Sequence, residues 1–393
     1  MKNKEKTVFF GPFFGEFGWE SSSWQGWVKK MCREKYQSYR KIAASYPGRE
    51  PFYPDVDEFW PHPPEINKLK ISPRGYIADC WIGNLPKIDN QKYVDRNVSQ
   101  YAEKLLSGYK ERLPKDTIFY IPYKLNAYQL NENQCLFGVL FLKGLNFYKI
   151  PKTLSLRFEH QIFESLEPTS EGREFLRQLV NPNKKIIAVF PRRRFFRRMD
   201  KDWPQEKYDS LIKNLQKRYP DHLVSILGTP DGAYYSDGVP SDCLDLINLP
   251  EEKRFSVQLA ALKQSDIAIG SMSGVLRIAQ LAQCPVVEWG YGVYQKEALE
   301  KQNFLKTRSI YWPEINPSVE TIENSVRLMM ESKEKEVVYP EFSEENWEGN
   351  SYYKKLFLRL LFRETMARPF LWYLERKNLP EGVINNQILK IIT

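Results

Sequence analysis

A dense group of arginines in the middle of the chain is the feature whose residue types best suit a chemical task. The segment IIAVFPRRRFFRRMDKDW contains an apolar stretch of strand length, Ile186 to Phe190, that stops at Pro191. The cationic residues that follow are Arg192, Arg193, Arg194, Arg197, Arg198 and Lys201. One guanidinium group can donate two hydrogen bonds to the oxygens of a phosphate group, so the segment predicts a phosphate or diphosphate site. A solvated charge run or a nucleic-acid-binding patch is the alternative interpretation.

Two glutamates near the start of the chain are candidates for a general base. In the segment GPFFGEFGWE, Glu16 lies within a loop that includes Gly15, Phe17 and Gly18, and Glu20 comes just before a run of serines. A carboxylate on a strand-to-helix loop can take a proton from an attacking hydroxyl group. For Glu20, hydrogen bonding to the amides of a helix start is an equally good interpretation. We therefore expect Glu16 to be the first candidate and Glu20 the second.

The elements that would position these residues alternate between strand and helix. Strands are predicted at Thr7–Phe10, Lys41–Ser45, Ile186–Phe190, His222–Leu227, Asp245–Leu249, Ile267–Gly270 and Val286–Trp289. Helices are predicted at Ser21–Lys35, Val98–Leu113, Gln205–Arg218, Ser256–Lys263, Val275–Gln283 and Ser318–Lys335, and a loop at Pro51–Pro64. This alternation predicts an α/β protein with parallel sheets and right-handed crossovers. The turns at 192–201, 228–231 and 271–274 should then converge at one sheet edge.

Length and composition limit the classes of protein that fit. A chain of 393 residues suggests two domains with an appendage, and we expect boundaries at 1–180, 181–340 and 341–393. The hydrophobic fraction of 42% excludes general disorder. The net charge of +9 favours an anionic ligand, an anionic membrane surface or nucleic acid.

Metal and disulfide sites receive no support from the sequence. The five cysteines and three histidines are scattered, which favours neither a zinc site nor a disulfide framework. Asp55 and Asp57 form an Asp-x-Asp pair, but no apolar strand precedes them, so we expect neither a metal nor another cofactor. The chain begins MKNKEKTVFF without a signal-peptide pattern and contains no apolar run of membrane-spanning length. These features predict a cytoplasmic protein.

About a third of the chain resembles a known family. The segments KDWPQEKYDSLI, SILGTPD and LAALKQSDIAIGSMSGVLRIAQLAQCPVVEWGYG are similar to the donor-binding half of the bacterial lipopolysaccharide heptosyltransferases. The resemblance implies an inverting glycosyltransferase with two Rossmann-like domains facing a cleft, the GT-B architecture. It also implies that Lys201, beside Trp203, contacts donor phosphate and that Glu16 is the base. Met272 and Arg277 stand where the family has an aspartate and a histidine.

Transfer of a sugar from a nucleotide diphosphate gives roles to the remaining polar residues. The leaving group gains negative charge, which fixed cations and helix-start amides stabilise. Candidates for donor binding are Arg192, Arg193, Arg194, Arg197, Lys201, Gly228, Asp231, Ser271, Ser273, Gly274 and Glu288. A plain turn remains an alternative for Gly228 to Asp231, and ordinary helix capping remains one for Ser271 to Gly274.

Three functional alternatives remain open from the sequence. The preferred one is metal-independent transfer of a hexosyl or heptosyl group from a nucleotide sugar to a glycan or lipid-linked acceptor. The adjacent arginines also resemble those of fucosyltransferases that bind GDP, and a nucleic-acid-binding protein is the alternative from another class. The basic, aromatic tail at 341–393 predicts a helix that packs on the first domain or lies on the inner face of an anionic membrane.

Overall fold

The structure is a computed structural model that describes residues 6–13, 17–63, 98–120, 161–193, 201–290, 303–312 and 314–331. The predicted site residues outside these segments are Gly15, Glu16, Arg194 and Arg197, and the predicted tail also lies outside them. Within the described segments, no helix combines the length and the apolar character needed to cross a bilayer.

The first half of the chain forms a parallel sheet. Its strands are β1 (Thr7–Phe10), β2 (Arg40–Ser45), β3 (Glu58–Pro61) and β4 (Ile118–Tyr120). The order across the described sheet is β3-β2-β1-β4, and neighbouring strands run parallel. Phe9 of β1 pairs with Ile42 of β2, and both side chains are fully buried. Apolar central strands of this kind are typical of a parallel sheet with both faces covered.

The second half forms a larger parallel sheet. Its strands are β5 (Lys185–Phe190), β6 (His222–Ile226), β7 (Cys243–Asp245), β8 (Ser265–Ser271), β9 (Val286–Trp289) and β10 (Ser309–Trp312). Their order is β10-β9-β8-β5-β6-β7, with all neighbours parallel. Numbered from β5, this is the 3-2-1-4-5-6 order of a Rossmann sheet. The predicted α/β fold class with two parallel sheets is therefore confirmed.

Helices connect the strands and cover the sheets. The first, α1, runs from Phe17 to Lys35 and widens into π-type turns at Glu20–Trp24 and Met31–Lys35. The others are α2 (Val98–Glu111), α3 (Ser170–Leu179), α4 (Gln205–Arg218), α5 (Glu251–Gln264), α6 (Arg277–Leu281) and α7 (Val319–Glu331). Helix α4 buries Tyr208, Leu211, Ile212 and Leu215. The spacing of these four residues is the one that predicts the helix.

Several element predictions are wrong in detail. The segment predicted as a loop from Pro51 to Pro64 contains β3, because Phe59 pairs with Ala43 at the edge of the first sheet. Helix α1 starts four residues before the predicted Ser21, which places Glu20 inside the helix rather than before it. Helix α6 covers only Arg277–Leu281 of the predicted range, and β10 was not predicted.

The carboxyl-end loops of the two sheets meet. Gly18, in the first turn of α1, lies against Gly274, which follows β8, and a Cβ atom added to Gly274 would be 2.6 Å from the Gly18 Cα. Gly48, which follows β2 and has a φ of +76°, would with a Cβ lie 2.8 Å or less from the carbonyl oxygens of Glu251 and Glu252 in α5. Both contacts need glycine, so the backbones of the two halves pack directly on each other.

A connector joins the two halves before α3. Its Ile162 amide donates to the Gly26 carbonyl in α1, and its Leu166 amide donates to the Leu281 carbonyl at the end of α6. Helix α3 then packs on α5, where a Cβ on Gly172 would collide with the Ser256 side chain. The domain boundary predicted at residue 180 stays a prediction.

Candidate functional site

The site follows from the order of the second sheet. Strands β5 and β8 are neighbours, although two other strands separate them in sequence, so the strand order reverses between them. Loops that leave the carboxyl ends of two such strands go to opposite sides and open a crevice, where ligands of open α/β sheets bind. The arginine-rich segment follows β5 at Phe190, and the turn to Gly274 follows β8 at Ser271. Two of the three predicted donor-binding segments therefore flank the crevice.

Hydrogen bonds join all three segments. The Ser271 hydroxyl donates to the carbonyl of Lys201 over 2.8 Å. The Arg193 amide donates to the Gly232 carbonyl at 3.0 Å, which links the arginine segment to the turn after β6. Gly228 begins that turn with a φ of +142°, and its carbonyl accepts from Gln258 Nε2 at 2.7 Å. The predicted convergence of the three turns at one edge is confirmed.

The two described arginines of the cluster differ in their surroundings. Arg192 forms an ion pair with Asp202, and the two side chains are only 5% and 10% exposed. Arg193 is half-buried, and its guanidinium lies 5.4 Å from the centre of the Tyr234 ring. A buried partner of opposite charge gives Arg192 a structural role that the sequence pattern did not predict. The donor contact predicted for Arg192 is therefore less well supported than the one predicted for Arg193.

Lys201 and Glu288 lie in a buried polar network beside the crevice. Glu288 is 2% exposed and Lys201 8% exposed. Gln280 Nε2 donates to Glu288 Oε1 at 3.0 Å, and Arg277 Nη1 donates to Gln280 Oε1 at 2.6 Å. Burial raises the pKa of Glu288, and the charges of Arg277 and Lys201 oppose that rise. The structure thus connects three elements through one carboxylate, and sequence reasoning missed Gln280 as a member of this network.

The turn after β8 ends in a capping interaction. Ser273 Oγ accepts a hydrogen bond from the Leu276 amide at 3.1 Å, before α6 begins at Arg277. Of the two interpretations left open for Ser273, this contact corresponds to the capping one. Gly274 contributes the close approach to Gly18 described above. Asp231, in the turn after β6, is exposed.

The contact between the two halves is called the junction here. On its first-half side, Glu20 is fully buried. Its Oε1 accepts hydrogen bonds from the hydroxyl groups of Ser45 and Tyr53, the latter at 2.6 Å. Its Oε2 lies 3.8 Å from the Nε of Arg49. Burial raises the pKa of Glu20, while Arg49 and the two hydroxyl groups oppose that rise. Phe17 and Gly18, predicted as loop residues around the base, form the first turn of α1.

Sequence reasoning missed an aromatic cluster at the junction. Phe17 and Phe52 from the first half pack against Phe255 of α5, with ring centres 5.5 and 4.6 Å from the Phe255 ring. The guanidinium of Arg49 lies 4.1 Å from the centre of the Phe17 ring. Arg49 follows directly after the Tyr-Pro-Gly turn that ends β2. Its place at the carboxyl end of a predicted strand was the signal that could have identified it.

The aspartate pair discounted as a metal site contacts cationic residues. Asp55 Oδ1 accepts from Arg33 Nε at 3.0 Å. Asp57 Oδ2 accepts from the Lys41 backbone amide at 2.7 Å and lies 3.5 Å from its ammonium group. Among the described residues, no group of His, Cys, Asp and Glu side chains is arranged to hold a metal ion.

Comparisons with solved structures find similar chains at low sequence identity. The E. coli ADP-heptose lipopolysaccharide heptosyltransferase II has a TM-score of 0.49 and 14% identity, over 83% of this chain and 98% of that one. A glycosyl transferase family 9 protein from Veillonella parvula has a TM-score of 0.48 and 10% identity, over 84% and 98%. E. coli heptosyltransferase WaaC with ADP has a TM-score of 0.44 and 10% identity, over 82% and 99%. No protein-family model and no curated protein sequence matches this chain.

Replacing Glu20 with glutamine should change how stability depends on pH. Because the pKa of Glu20 is raised in the folded protein, the folded state holds its proton more tightly than the unfolded state. The contribution of Glu20 to the free energy of unfolding is therefore fully present below the ordinary glutamate pKa. It is lost as the pH rises through the higher pKa that Glu20 has in the folded protein. We expect the free energy of unfolding of wild type, relative to Glu20→Gln, to decrease as the pH rises above the ordinary glutamate pKa.

Denaturant titration at several pH values measures this difference. Glu34→Gln is the control, because Glu34 is a glutamate of the same helix with a 57% exposed side chain. A Glu20 difference that is independent of pH, or as small as that of the control, would contradict the prediction.

Proposed function

We propose that the protein is a glycosyltransferase of the GT-B type that transfers a sugar from a nucleotide-diphosphate sugar to a glycan or lipid-linked acceptor. One observation carries the proposal: Arg193 and Lys201, at the two described ends of the cationic segment, lie at the switch point of a Rossmann-order sheet and are hydrogen-bonded to the turns after β6 and β8. The start of α1, from the other half, contacts the same edge at Gly274. A donor and an acceptor held by opposite halves would meet there.

The donor diphosphate would bind to cations fixed by this edge. Arg193 is less buried than Arg192, and Lys201 is held by the Ser271 contact to its carbonyl. Arg194 and Arg197 would add to this charge. Fixed cations stabilise the charge that develops on a departing diphosphate, because they are oriented before the reaction begins. We expect this arrangement to work without a metal ion.

The acceptor hydroxyl needs a base, and we assign Glu16 to that role. Glu20, the second candidate, is engaged by Ser45, Tyr53 and Arg49 inside the first half and has no exposed surface. A general base must reach the proton that it removes. Burial therefore favours a structural role for Glu20 and leaves Glu16, which adjoins Phe17 at the junction, as the proposed base.

Burial of the cations also bears on the nucleic-acid alternative. A protein that tracks a phosphate backbone presents its lysines and arginines on an accessible surface. Lys201 is instead 8% exposed and lies beside a crevice. This arrangement supports a small anionic ligand.

The proposal is tested by thermal unfolding in the presence of nucleoside diphosphates. A ligand at 100 times its Kd stabilises a protein by about 2.7 kcal/mol, so one base among ADP, GDP, UDP and CDP should raise the melting temperature clearly. Lys201→Met should weaken binding of that diphosphate about 10- to 100-fold, since a hydrogen bond to a charged group is worth about 1.5–3 kcal/mol.

Lys207→Met is the matched control. Lys207 lies six residues later, on α4, and its ammonium group donates to Asn316 Oδ1 at 2.8 Å and to the Pro317 carbonyl at 2.9 Å. We expect unchanged diphosphate affinity in this variant. Indifference of wild type to all four diphosphates, together with salt-sensitive binding of DNA or RNA, would favour the nucleic-acid-binding alternative.

A further inference from the structure

We propose that Arg49 is a positioning residue that holds the start of α1 against the donor-side half of the protein. The inference rests on the proposed function and deepens it. It identifies the residue that fixes the position of the proposed base relative to the donor. Arg49 belongs to the first half, where it follows β2. Its side chain lies at the contact between the two halves.

The contacts of Arg49 reach both halves. Its guanidinium carbon lies 4.1 Å from the Phe17 ring centre and 5.8 Å from that of Phe255. Its Nε is 3.8 Å from Glu20 Oε2, so the cation is balanced by a carboxylate from α1. The side chain is 17% exposed. One guanidinium thus connects two positions of α1 with a residue of α5.

The aromatic residues around Arg49 form a continuous stack across the junction. Phe17 packs on Phe52 and Phe255 with ring centres 5.5 Å away in each case, and Phe52 lies 4.6 Å from Phe255. Offset and edge-to-face aromatic pairs of this kind contribute about 0.5–1.5 kcal/mol each beyond area burial. The aromatic rings therefore favour one relative orientation of the two halves, which a contact between aliphatic side chains alone would not do.

An arginine suits this place better than a lysine. The guanidinium is planar and weakly hydrated, so it can lie over an aromatic ring while keeping its charge close to a buried carboxylate. A lysine ammonium would retain the charge next to Glu20 but would lose the flat contact with Phe17. Arg49→Lys consequently tests the contribution of the stacking contact while the ion pair with Glu20 is retained.

The position of α1 matters to the proposed reaction because of what adjoins Phe17. Gly18 is the next residue, and its backbone contacts Gly274 in the turn after β8. The residue before Phe17 is Glu16, the proposed base. A displacement of about 1 Å at a reacting group can cost about 10²-fold in rate. Loss of the Arg49 contacts should therefore slow turnover without removing any group that binds the diphosphate.

Two variants test this role. Arg49→Lys keeps the charge, and the double variant Arg49→Met with Glu20→Gln removes both charges, so that no buried charge is left unpaired. Three quantities are measured: Kd for the nucleoside diphosphate that stabilises wild type, kcat for hydrolysis of the matching nucleotide sugar, and amide hydrogen exchange over residues 17–24. Arg112→Lys is the matched control, because Arg112 lies 4.2 Å from the Trp60 ring centre, on the first sheet.

For both Arg49 variants we expect kcat to fall about 10- to 100-fold, Kd to change by less than about threefold, and exchange over residues 17–24 to become faster. The control should match wild type in all three. Amides of β5 and β8 should stay protected, which distinguishes a loosened junction from general unfolding.

Wild-type kcat and wild-type protection over residues 17–24 in the double variant would overturn the proposal, since Arg49 would then only neutralise Glu20. If no nucleotide sugar is hydrolysed by wild type, the proposed function fails. The exchange over residues 17–24 would still decide separately whether Arg49 holds the junction together.

Discussion

Glu16→Gln should lower kcat by about 10²- to 10⁴-fold while leaving the affinity for the nucleoside diphosphate unchanged, because general base catalysis contributes about that factor. Glutamine has nearly the same shape as glutamate but cannot accept the proton of the acceptor hydroxyl. The proposed donor cations belong to the other half of the protein, so diphosphate binding should not require this carboxylate. Nucleotide-sugar turnover and diphosphate titration on the same preparation measure the two effects.

Glu20→Gln is the control for this substitution. Its amide oxygen can still accept from Tyr53 and Ser45, and Arg49 still lies over Phe17, so kcat should fall less than about tenfold. Full activity of Glu16→Gln would remove Glu16 from the mechanism. A folded Glu20→Gln variant with no turnover would transfer the role of base to Glu20.

The fold could be predicted from the sequence wherever the pattern is local. The apolar stretch at Ile186–Phe190 and the helical spacing at Gln205–Arg218 have periods that local sequence reveals. Alternation of such segments restricts the topology to parallel crossovers, and these bring consecutive turns to one edge. For that reason the meeting of the turns at Arg193, Gly232 and Ser271 could be predicted before any contact was seen.

Short edge strands were less accessible to this reasoning. Glu58–Pro61 is four residues long and lies among prolines and aromatic residues that normally indicate a loop. It becomes a strand because β2 offers it an unpaired edge, with Ala43 opposite Phe59. Ser309–Trp312 pairs with β9 in the same way. Tertiary pairing outweighs local propensity in both cases.

The partners of individual charges could not be predicted either. In the sequence, Arg192 is one of five similar arginines, and Asp202 lies ten residues further along the chain. Glu20 and Arg49 are 29 positions apart, and their proximity depends on the packing of α1 on β2. Whether a charged residue serves a ligand or the core is decided by such packing, because burial sets the cost of leaving it unpaired.

Asp202→Ala should reduce the free energy of unfolding by about 3–5 kcal/mol, because it leaves the 5% exposed guanidinium of Arg192 without its carboxylate. The double variant Arg192→Met with Asp202→Leu removes both charges and should recover most of that loss, since buried ion pairs can often be replaced by apolar residues at little cost. Denaturant unfolding measures both.

The same two variants also decide what Arg192 does. If its role is structural, the double variant should bind the nucleoside diphosphate within about threefold of wild type, because Arg193 and Lys201 remain. If Arg192 instead binds the diphosphate, affinity should fall about 10- to 100-fold in the double variant, and added diphosphate should stabilise Asp202→Ala more than wild type. The first outcome would confine the donor cations to Lys201 and the arginines from Arg193 onward.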